Sequence, residues 1–183
     1  MAKVIQLTGY PRCGKDTFAT TAIKLYPELK ILRLAYADYL KEEHAKELGI
    51  TDLDTYNRLL HTTGVYNGNN LRDGLSRLGI KLKKQNINVF VDVVKEAIET
   101  TDADLVIITD MRYLEEYAYA KLQQHTMLRI FAHGIPEAEK TQPWNALTQV
   151  FKVHDTIYND STLTQYEAKV EVCLDLIMYN STS

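Results

Sequence analysis

Short apolar runs alternate with amphipathic stretches along most of the 183 residues. The apolar runs are bounded by turn-forming residues and predict strands, whereas the amphipathic stretches repeat apolar residues every three or four positions, as helices do. The predicted strands are 3–8, 30–35, 104–110, 127–132 and 153–158. The predicted helices are 15–25, 39–48, 52–61, 71–81, 87–100, 114–124 and 163–178.

The alternation of strands and helices is typical of an α/β protein with a mostly parallel sheet. The run at 104–110 has a continuous apolar centre, which indicates a strand buried on both faces. We therefore predict a three-layer sandwich, with about five strands covered by helices on both faces, in a single domain spanning 1–183. Residues 52–84 contain no predicted strand, so we interpret this region as a helical insertion.

The pattern that carries the most chemistry lies near the start of the chain. An apolar run ends at Gly9, four residues intervene, and Gly14 and Lys15 precede a predicted helix. Strand, glycine-bounded loop and helix in this order form a phosphate-binding P-loop, in which backbone N–H groups and the helix N-terminus face an anion. The predicted phosphate-binding residues are Gly9, Arg12, Cys13, Gly14, Lys15, Asp16 and Thr17.

The position after Lys15 departs from the general motif. The motif has Ser or Thr there to hold Mg²⁺, but this chain has Asp16, with Thr17 one residue later. Both residues are candidate metal ligands. The alternative interpretation of the whole stretch is a strand-to-helix turn that binds nothing.

Charged residues also follow the most apolar strand. Asp110 ends it and Arg112 comes two residues later. Ligands of open α/β sheets bind outside the carboxyl ends of the strands. We therefore expect Asp110 to reach Mg²⁺ and Arg112 to clamp a phosphate. The alternative is that Asp110 caps the helix 114–124 and that Arg112 is solvated.

Two further groups of residues are candidates for binding a phosphoryl acceptor. Asp38 and Lys41 follow the second strand, where Asp38 would orient the acceptor and Lys41 would hold its phosphate. Alternatively, Asp38 caps the helix 39–48 and Lys41 is exposed. Arg58 and Arg72 flank a loop rich in Gly and Asn and suit a phosphate monoester, with a solvated surface as the alternative.

The composition argues against several protein classes. With 45% hydrophobic and 25% charged residues the chain is not expected to be disordered, and a net charge of −3 gives no basic footprint for a nucleic acid polymer. We found no apolar stretch of about 20 residues that would cross a membrane, and no signal peptide. The chain has two cysteines, Cys13 and Cys173, and this low number favours a reducing compartment. Because Cys13 lies inside the phosphate loop, we expect no structural disulfide there. We expect a soluble cytoplasmic protein. Its oligomeric state stays open at this stage, and a homodimer is one of the alternatives.

Five blocks of residues follow one another along the chain. They are Gly-Tyr-Pro-Arg-Cys-Gly-Lys-Asp-Thr at 9–17, Tyr-Ala-Asp-Tyr-Leu-Lys at 36–41, Arg-Leu-Leu-His-Thr-Thr-Gly at 58–64 with Arg72 beyond, Ile-Ile-Thr-Asp-Met-Arg-Tyr at 107–113 with Glu115 and Glu116, and His-Asp-Thr-Ile-Tyr-Asn-Asp-Ser at 154–161. In this order they resemble the deoxynucleoside monophosphate kinases of bacteriophages. In that family the loop Gly-Lys is also followed by Asp-Thr, so Asp16 becomes a point of agreement.

The resemblance implies a P-loop kinase fold and the ATP- and Mg²⁺-dependent phosphorylation of a deoxynucleoside monophosphate, with small-molecule substrates only. It implies catalytic roles for Lys15, Asp38, Arg72 and Arg112. It implies substrate binding by Asp38, Leu40, Lys41, Arg58, Arg72, Asp110, Arg112 and Trp144, and metal binding by Asp16, Thr17 and Asp110.

Residues from about 133 to 149 would form a lid over the bound nucleotide. This segment contains no Arg, so Lys140 is its only cation, and Trp144 would stack on a base or simply pack. Two alternative functions stay open at this stage. The chain could be another small-molecule P-loop kinase, acting on dephospho-coenzyme A or phosphomevalonate, or a nucleotide-binding switch protein.

Overall fold

The computed structural model describes residues 2–135 and 143–179, and they form two compact units. The first unit combines Met1–Ala35 with Ile98–Ser183, and the second is Tyr36–Ala97. In chain order the elements are β1 (Lys3–Thr8), α1 (Lys15–Leu25), β2 (Ile31–Leu34), α2 (Tyr36–Glu47), α3 (Leu53–His61), β3 (Val65–Tyr66), β4 (Asn69–Asn70), α4 (Leu71–Gln85), α5 (Val89–Thr100), β5 (Leu105–Ile108), α6 (Leu114–Leu122), β6 (Thr126–Ala132), α7 (Pro143–Val150), β7 (Asp155–Asn159) and α8 (Leu163–Tyr179).

The first unit is built on a five-stranded sheet in which every neighbouring pair is parallel. The strand order is β2-β5-β1-β6-β7. After β1 the chain forms β2 and β5 on one side of it, and later forms β6 and β7 on the other side. The strand order therefore reverses at β1, and the crevice at the carboxyl end of such a strand is where α/β sheets bind ligands.

Apolar side chains explain why helices cover this sheet. Ile5 and Leu7 of β1 alternate with Gln6 and point to one face, where they share a buried core with Phe18 of α1 and Val170 of α8. On the other face Gln6 contacts the ring of His125, with 2.9 Å between Nε2 and Nδ1. The predicted sandwich with a mostly parallel five-stranded sheet is confirmed.

The second unit contains α2, α3, α4, most of α5 and the hairpin of β3 and β4. Its core includes Tyr56, Leu60 and Leu71, and the buried Tyr56 hydroxyl lies 2.7 Å from Nδ1 of His44. Residues 52–84, predicted as an insertion, lie inside this unit.

Several element boundaries differ from the predictions. The second helix begins at Tyr36 rather than at 39, because the first turn also contains the apolar and buried Tyr36. The predicted loop 62–70 contains a hairpin, whose turn places Asn67 and Gly68 at φ of 48° and 78°. Strands of two residues are too short to produce a periodic pattern, which is why they were missed.

The predicted lid region is only partly described. Residues 143–149, predicted as part of the lid, lie in α7, which spans Pro143–Val150. Residues 136–142, including Lys140, lie outside the described residues, so the prediction of a lid there stays a prediction. Across 2–135 and 143–179, none of the helices combines the length and the hydropathy that crossing a membrane requires.

Candidate active site

The loop between β1 and α1 has the shape that its glycines predict. Gly9 and Gly14 have φ of 139° and 107°, and Arg12 also has a positive φ of 61°. At Gly9 the close approach of β6 matters as well, because a Cβ there would lie 2.3 Å from the carbonyl oxygen of Ile130. The sharp turn after β1 therefore requires glycine at position 9.

Lys15, the first residue of α1, points its ammonium group back into the loop. Nζ donates to the carbonyl oxygens of Gly9 and Tyr10 at 3.1 and 2.7 Å, and it lies 3.6 Å from Sγ of Cys13. The residue is only 6% exposed. A cation held among backbone carbonyls can exchange those partners for the oxygens of a phosphate.

Burial is the main influence on the pKa of Lys15 and lowers it. Cys13 and Asp110 raise this pKa, and the positive charge of Arg112 lowers it. The charges of Asp110 and Arg112 therefore act on the Lys15 ammonium. The structure thus brings together the phosphate loop and the two charged residues that were predicted after the 104–110 strand.

The segment after β5 is held in place by backbone contacts. The N–H of Met111 donates to Leu7 at 3.0 Å, and the N–H of Thr109 donates to Leu34, also at 3.0 Å. Asp110 is buried and Arg112 is half-buried. Nε of Arg112 is buried and has no hydrogen-bond partner within 2–135 and 143–179. An unpaired buried donor of this kind is a reason to look for a ligand.

The two metal candidates after Lys15 differ in their surroundings. The Asp16 side chain is 78% exposed and pairs with Arg33 of β2, at 3.1 Å between Oδ1 and Nη2. Thr17 is half-buried and follows in the first turn of α1.

Burial raises the pKa of the Cys13 thiol, which packs in the core of the unit. Cys13 is therefore protonated and unsuited to act as a nucleophile.

Magnesium is an oxygen-seeking ion that is often held by one or two carboxylates together with substrate phosphates. Among residues 2–135 and 143–179 no cluster of three or more His, Cys, Asp or Glu side chains is arranged to hold a metal. The carboxylates of Asp110 and Asp16 and the hydroxyl of Thr17 are oxygen donors of the kind that Mg²⁺ accepts together with phosphates. The donor chemistry therefore fits Mg²⁺, and the role of these three residues as its ligands stays a prediction.

The second unit carries the candidates for acceptor binding. Nζ of Lys41 lies 3.3 Å from Oδ1 of Asp38. Because α2 begins at Tyr36, Asp38 lies inside its first turn, and the alternative that it is the cap preceding the helix is wrong. Leu40 points towards α4, where its Cδ2 would lie 3.4 Å from a Cβ placed on Gly79.

Arg58 and Arg72 are both exposed and lie at helix ends joined by the hairpin. Arg58 is in the last turn of α3 and Arg72 in the first turn of α4. Gly64 closes the connection, because its N–H donates to Leu59 at 2.8 Å and its carbonyl accepts from Leu71 at 2.9 Å. Both side chains lie at the surface of the unit, and their binding of a phosphate monoester stays a prediction.

A cavity of about 220 Å³ lies beside the phosphate loop in the first unit. The ring of Phe131 in its wall contacts His133 and Tyr158 edge to face, with centroids 5.3 and 5.6 Å apart. The cavity is lined by Tyr10, Phe131, Ala132, His133, Gly134, Ile135 and Gln149.

Trp144, which was predicted to stack on a base, belongs to α7 by its backbone, but its side chain lies outside the described ones.

The structure adds residues that the sequence reasoning did not single out. Asn159, at the end of β7, and Tyr166, in α8, contact the phosphate loop, and Glu116 holds the backbone of Arg112. Asn159 and Glu116 lie in blocks that resemble the phage kinases, so the resemblance covers both residues, but it did not indicate what they do. Tyr166 has only the helical apolar period, which predicts burial and nothing more.

No protein-family model and no curated protein sequence matches the chain. Similar solved structures include dephospho-CoA kinase from Campylobacter jejuni, with 12% identity, a TM-score of 0.56 and full coverage of both chains. Shikimate kinase from Acinetobacter baumannii, in complex with shikimate, has 14% identity, a TM-score of 0.51 and coverage of 100% of this chain and 97% of that one. Shikimate kinase from Aquifex aeolicus has 14% identity, a TM-score of 0.53 and coverage of 98% and 99%. The chain therefore has the fold of the P-loop kinases.

Proposed function

We propose that the protein is an ATP-dependent kinase that transfers the γ-phosphoryl group of ATP to a deoxynucleoside monophosphate, giving the diphosphate and ADP. The observation that carries this proposal is the buried ammonium of Lys15 in the phosphate loop, on which the charges of Asp110 and Arg112 act. A cation, a carboxylate and a guanidinium around one phosphate loop are what phosphoryl transfer uses to position and neutralise the reacting group.

The residues of the first unit would act mainly through position and charge. The loop N–H groups and the N-terminus of α1 hold the phosphates of ATP. Lys15 leaves the carbonyls of Gly9 and Tyr10 and follows the transferred group. The unpaired Nε of Arg112 donates to oxygens on which negative charge develops. Little covalent chemistry is required of the protein, so preorganised charges account for most of the rate.

Asp110 and Thr17 would hold Mg²⁺, since the carboxylate of Asp16 is paired with Arg33. Held there, Mg²⁺ would supply positive charge that offsets part of the negative charge of the phosphates. In this assignment Asp16 connects the start of α1 to β2, and its effect on the reaction is indirect.

We assign acceptor binding to the second unit. Arg58 and Arg72, exposed at joined helix ends, would neutralise the acceptor phosphate, and Lys41 would add a third cation. Asp38 would orient the acceptor, whose phosphate is already largely deprotonated at neutral pH, and Leu40 would support this segment from within the helix. The choice of a deoxynucleotide rests on the five blocks that resemble the phage kinases.

The cavity beside the loop suits the base of ATP. Its wall includes the aromatic rings of Tyr10, Phe131 and His133, and flat bases bind well against aromatic surfaces. Tyr10 also belongs to the phosphate loop, so base and phosphates would be bound by one continuous segment. Base stacking by Trp144 stays a prediction.

A second candidate function is phosphoryl transfer to another small molecule. The likeness in fold to dephospho-CoA kinase and shikimate kinases favours this alternative over a switch protein. The phosphate loop serves either reaction, so the acceptor decides between them.

The test is an acceptor panel. The purified protein is incubated with ATP, Mg²⁺ and, separately, each deoxynucleoside and ribonucleoside monophosphate, dephospho-coenzyme A, phosphomevalonate and shikimate, and both ADP and phosphorylated product are measured. We expect a deoxynucleoside diphosphate as the main product. Phosphorylation of only a non-nucleotide acceptor would replace this proposal with the second one. ADP formation without any acceptor would indicate a hydrolytic switch, and failure to bind ATP would refute both kinase functions.

A further inference from the structure

Two side chains from the last part of the chain donate hydrogen bonds to consecutive carbonyl groups of the phosphate loop. Nδ2 of Asn159 donates to the carbonyl of Cys13 at 3.0 Å, and the hydroxyl of Tyr166 donates to the carbonyl of Gly14 at 3.0 Å. Asn159 ends β7 and Tyr166 lies in the first turn of α8, so both donors come from rigid elements. Tyr166 is completely buried, which leaves its hydroxyl no solvent partner.

These contacts fix the direction of the next two N–H groups. A peptide unit is planar and trans, so its C=O and N–H point in opposite directions. A carbonyl of Cys13 held from outside the loop turns the N–H of Gly14 to the opposite side. The carbonyl of Gly14 accepts from Tyr166 and also from the N–H of Phe18 at 2.9 Å, and together these two donors do the same for the N–H of Lys15. The first N–H groups of a helix have no acceptor within the helix and are those that bind phosphate oxygens.

The packing of Gly14 supports the same interpretation. A Cβ on this residue would lie 2.6 Å from Nδ2 of Asn159 and 3.4 Å from the ring of Tyr166. The two side chains therefore occupy the space that any larger residue at position 14 would need. A larger residue at this position would displace Nδ2 of Asn159, and the φ of 107° also favours glycine.

We propose that Asn159 and Tyr166 are positioning residues of the phosphate loop, which hold the carbonyls of Cys13 and Gly14 so that the N–H groups of Gly14 and Lys15 are preorganised for the phosphates of ATP. The inference rests on the proposed phosphoryl transfer and extends it to two residues that touch neither substrate. Because burial raises the pKa of Tyr166, its hydroxyl keeps the proton that it donates.

The test compares Asn159→Ala and Tyr166→Phe with Tyr26→Phe. The hydroxyl of Tyr26 lies 2.6 Å from Oδ1 of Asp175 and 3.5 Å from the carbonyl oxygen of Glu171, so Tyr26→Phe also removes hydrogen bonding between the start and the end of the chain, but away from the loop. ATP affinity is measured by calorimetry, KM and kcat for both substrates by product formation, and the midpoint of thermal unfolding by circular dichroism. Two single variants keep the test valid if one of them folds poorly.

We expect each loop variant to weaken ATP binding about five- to tenfold, as the loss of one net hydrogen bond predicts, and the double variant to weaken it further. The KM for the acceptor should not change. Tyr26→Phe should lower the unfolding midpoint to a similar extent but keep the ATP affinity of the unaltered protein. This split distinguishes a positioning role from a purely structural one.

Two results would overturn the inference, and they differ. If both loop variants bind ATP and turn over as Tyr26→Phe does, the positioning role is wrong and the proposed kinase function stands. If the unaltered protein binds no ATP, the proposed function fails, and the inference falls with it.

Discussion

Glu116 holds the backbone of Arg112, with 2.6 Å between its Oε2 and the N–H of Arg112. The same oxygen accepts the N–H of Tyr113 at 3.0 Å, so this buried carboxylate caps the start of α6. The cap positions Arg112, whose buried Nε has no hydrogen-bond partner among the residues that the structure describes. A residue four positions further along the chain thus fixes the backbone from which the guanidinium of Arg112 extends.

Removal of the Glu116 cap should cost stability and catalysis together. We expect Glu116→Ala to lower the free energy of unfolding by about 2 kcal/mol, because two N–H groups lose a charged acceptor. Glu116→Gln keeps an acceptor oxygen and should lose roughly half as much. Urea denaturation measures the stability and product formation measures kcat. Equal stabilities of the Ala variant and the unaltered protein would show that the cap contributes nothing.

Arg112→Gln should reduce kcat about 100-fold or more, because a donor aimed at developing charge is lost. Its effect on ATP affinity should be much smaller, and Arg77→Gln, which changes an exposed arginine of the second unit, serves as the control. Steady-state kinetics and calorimetric titration with ATP separate the two effects. A variant that loses ATP affinity while its kcat is normal would contradict the assigned role.

Lys15→Met should nearly abolish turnover, with a loss of about 100-fold or more. Met keeps most of the length of the lysine side chain but cannot donate to the carbonyls of Gly9 and Tyr10 or to a phosphate. The circular dichroism spectrum should not change, since the apolar core around α1 is intact. Kinase activity close to normal in this variant would disprove the proposed mechanism.

Gly14→Ala should destabilise the protein more than Gly49→Ala. Both glycines have a positive φ, at 107° and 73°, and each Ala variant loses about 1 kcal/mol from this strain. A Cβ at Gly14 also meets Asn159, whereas at Gly49 it meets no atom within 4 Å. The added overpacking should bring the loss at position 14 to roughly 3 kcal/mol. Equal losses from the two variants in urea denaturation would mean that Asn159 moves aside freely.

The stability of the protein should fall in mild acid because of His125. Burial lowers the pKa of this residue to about 4 from 6.5, so the unfolded chain binds a proton more readily than the folded one. Neutral His125 contributes about 3 kcal/mol to the free energy of unfolding. This contribution is present in full above pH 6.5 and is lost as the pH falls towards 4.

His125→Gln should flatten this pH profile of the unfolding free energy, and His61→Gln, at an exposed position, should leave it unchanged. The profile is measured by urea denaturation between pH 4 and 8. An identical slope in all three proteins would assign the acid sensitivity to other groups.

Local sequence patterns predicted the parts of this protein that depend on neighbours along the chain. The run at 104–110 indicated the central strand, and glycines at 9 and 14 indicated a phosphate loop, because strand period and loop geometry are set within a few residues. The helix 15–25 was predicted with the same ends that the structure has. The hairpin of β3 and β4 escaped prediction because its strands are too short to show a period.

The arrangement around the loop depends on contacts between residues far apart in sequence. Asn159 lies 146 positions after the Cys13 carbonyl that it holds, and Tyr166 lies 152 positions after Gly14. No local pattern encodes such a hydrogen bond, because it forms only when the parallel sheet brings the end of β7 near the end of β1. The sequence by itself determined the fold class and the phosphate loop, whereas tertiary packing alone decided which side chains orient that loop.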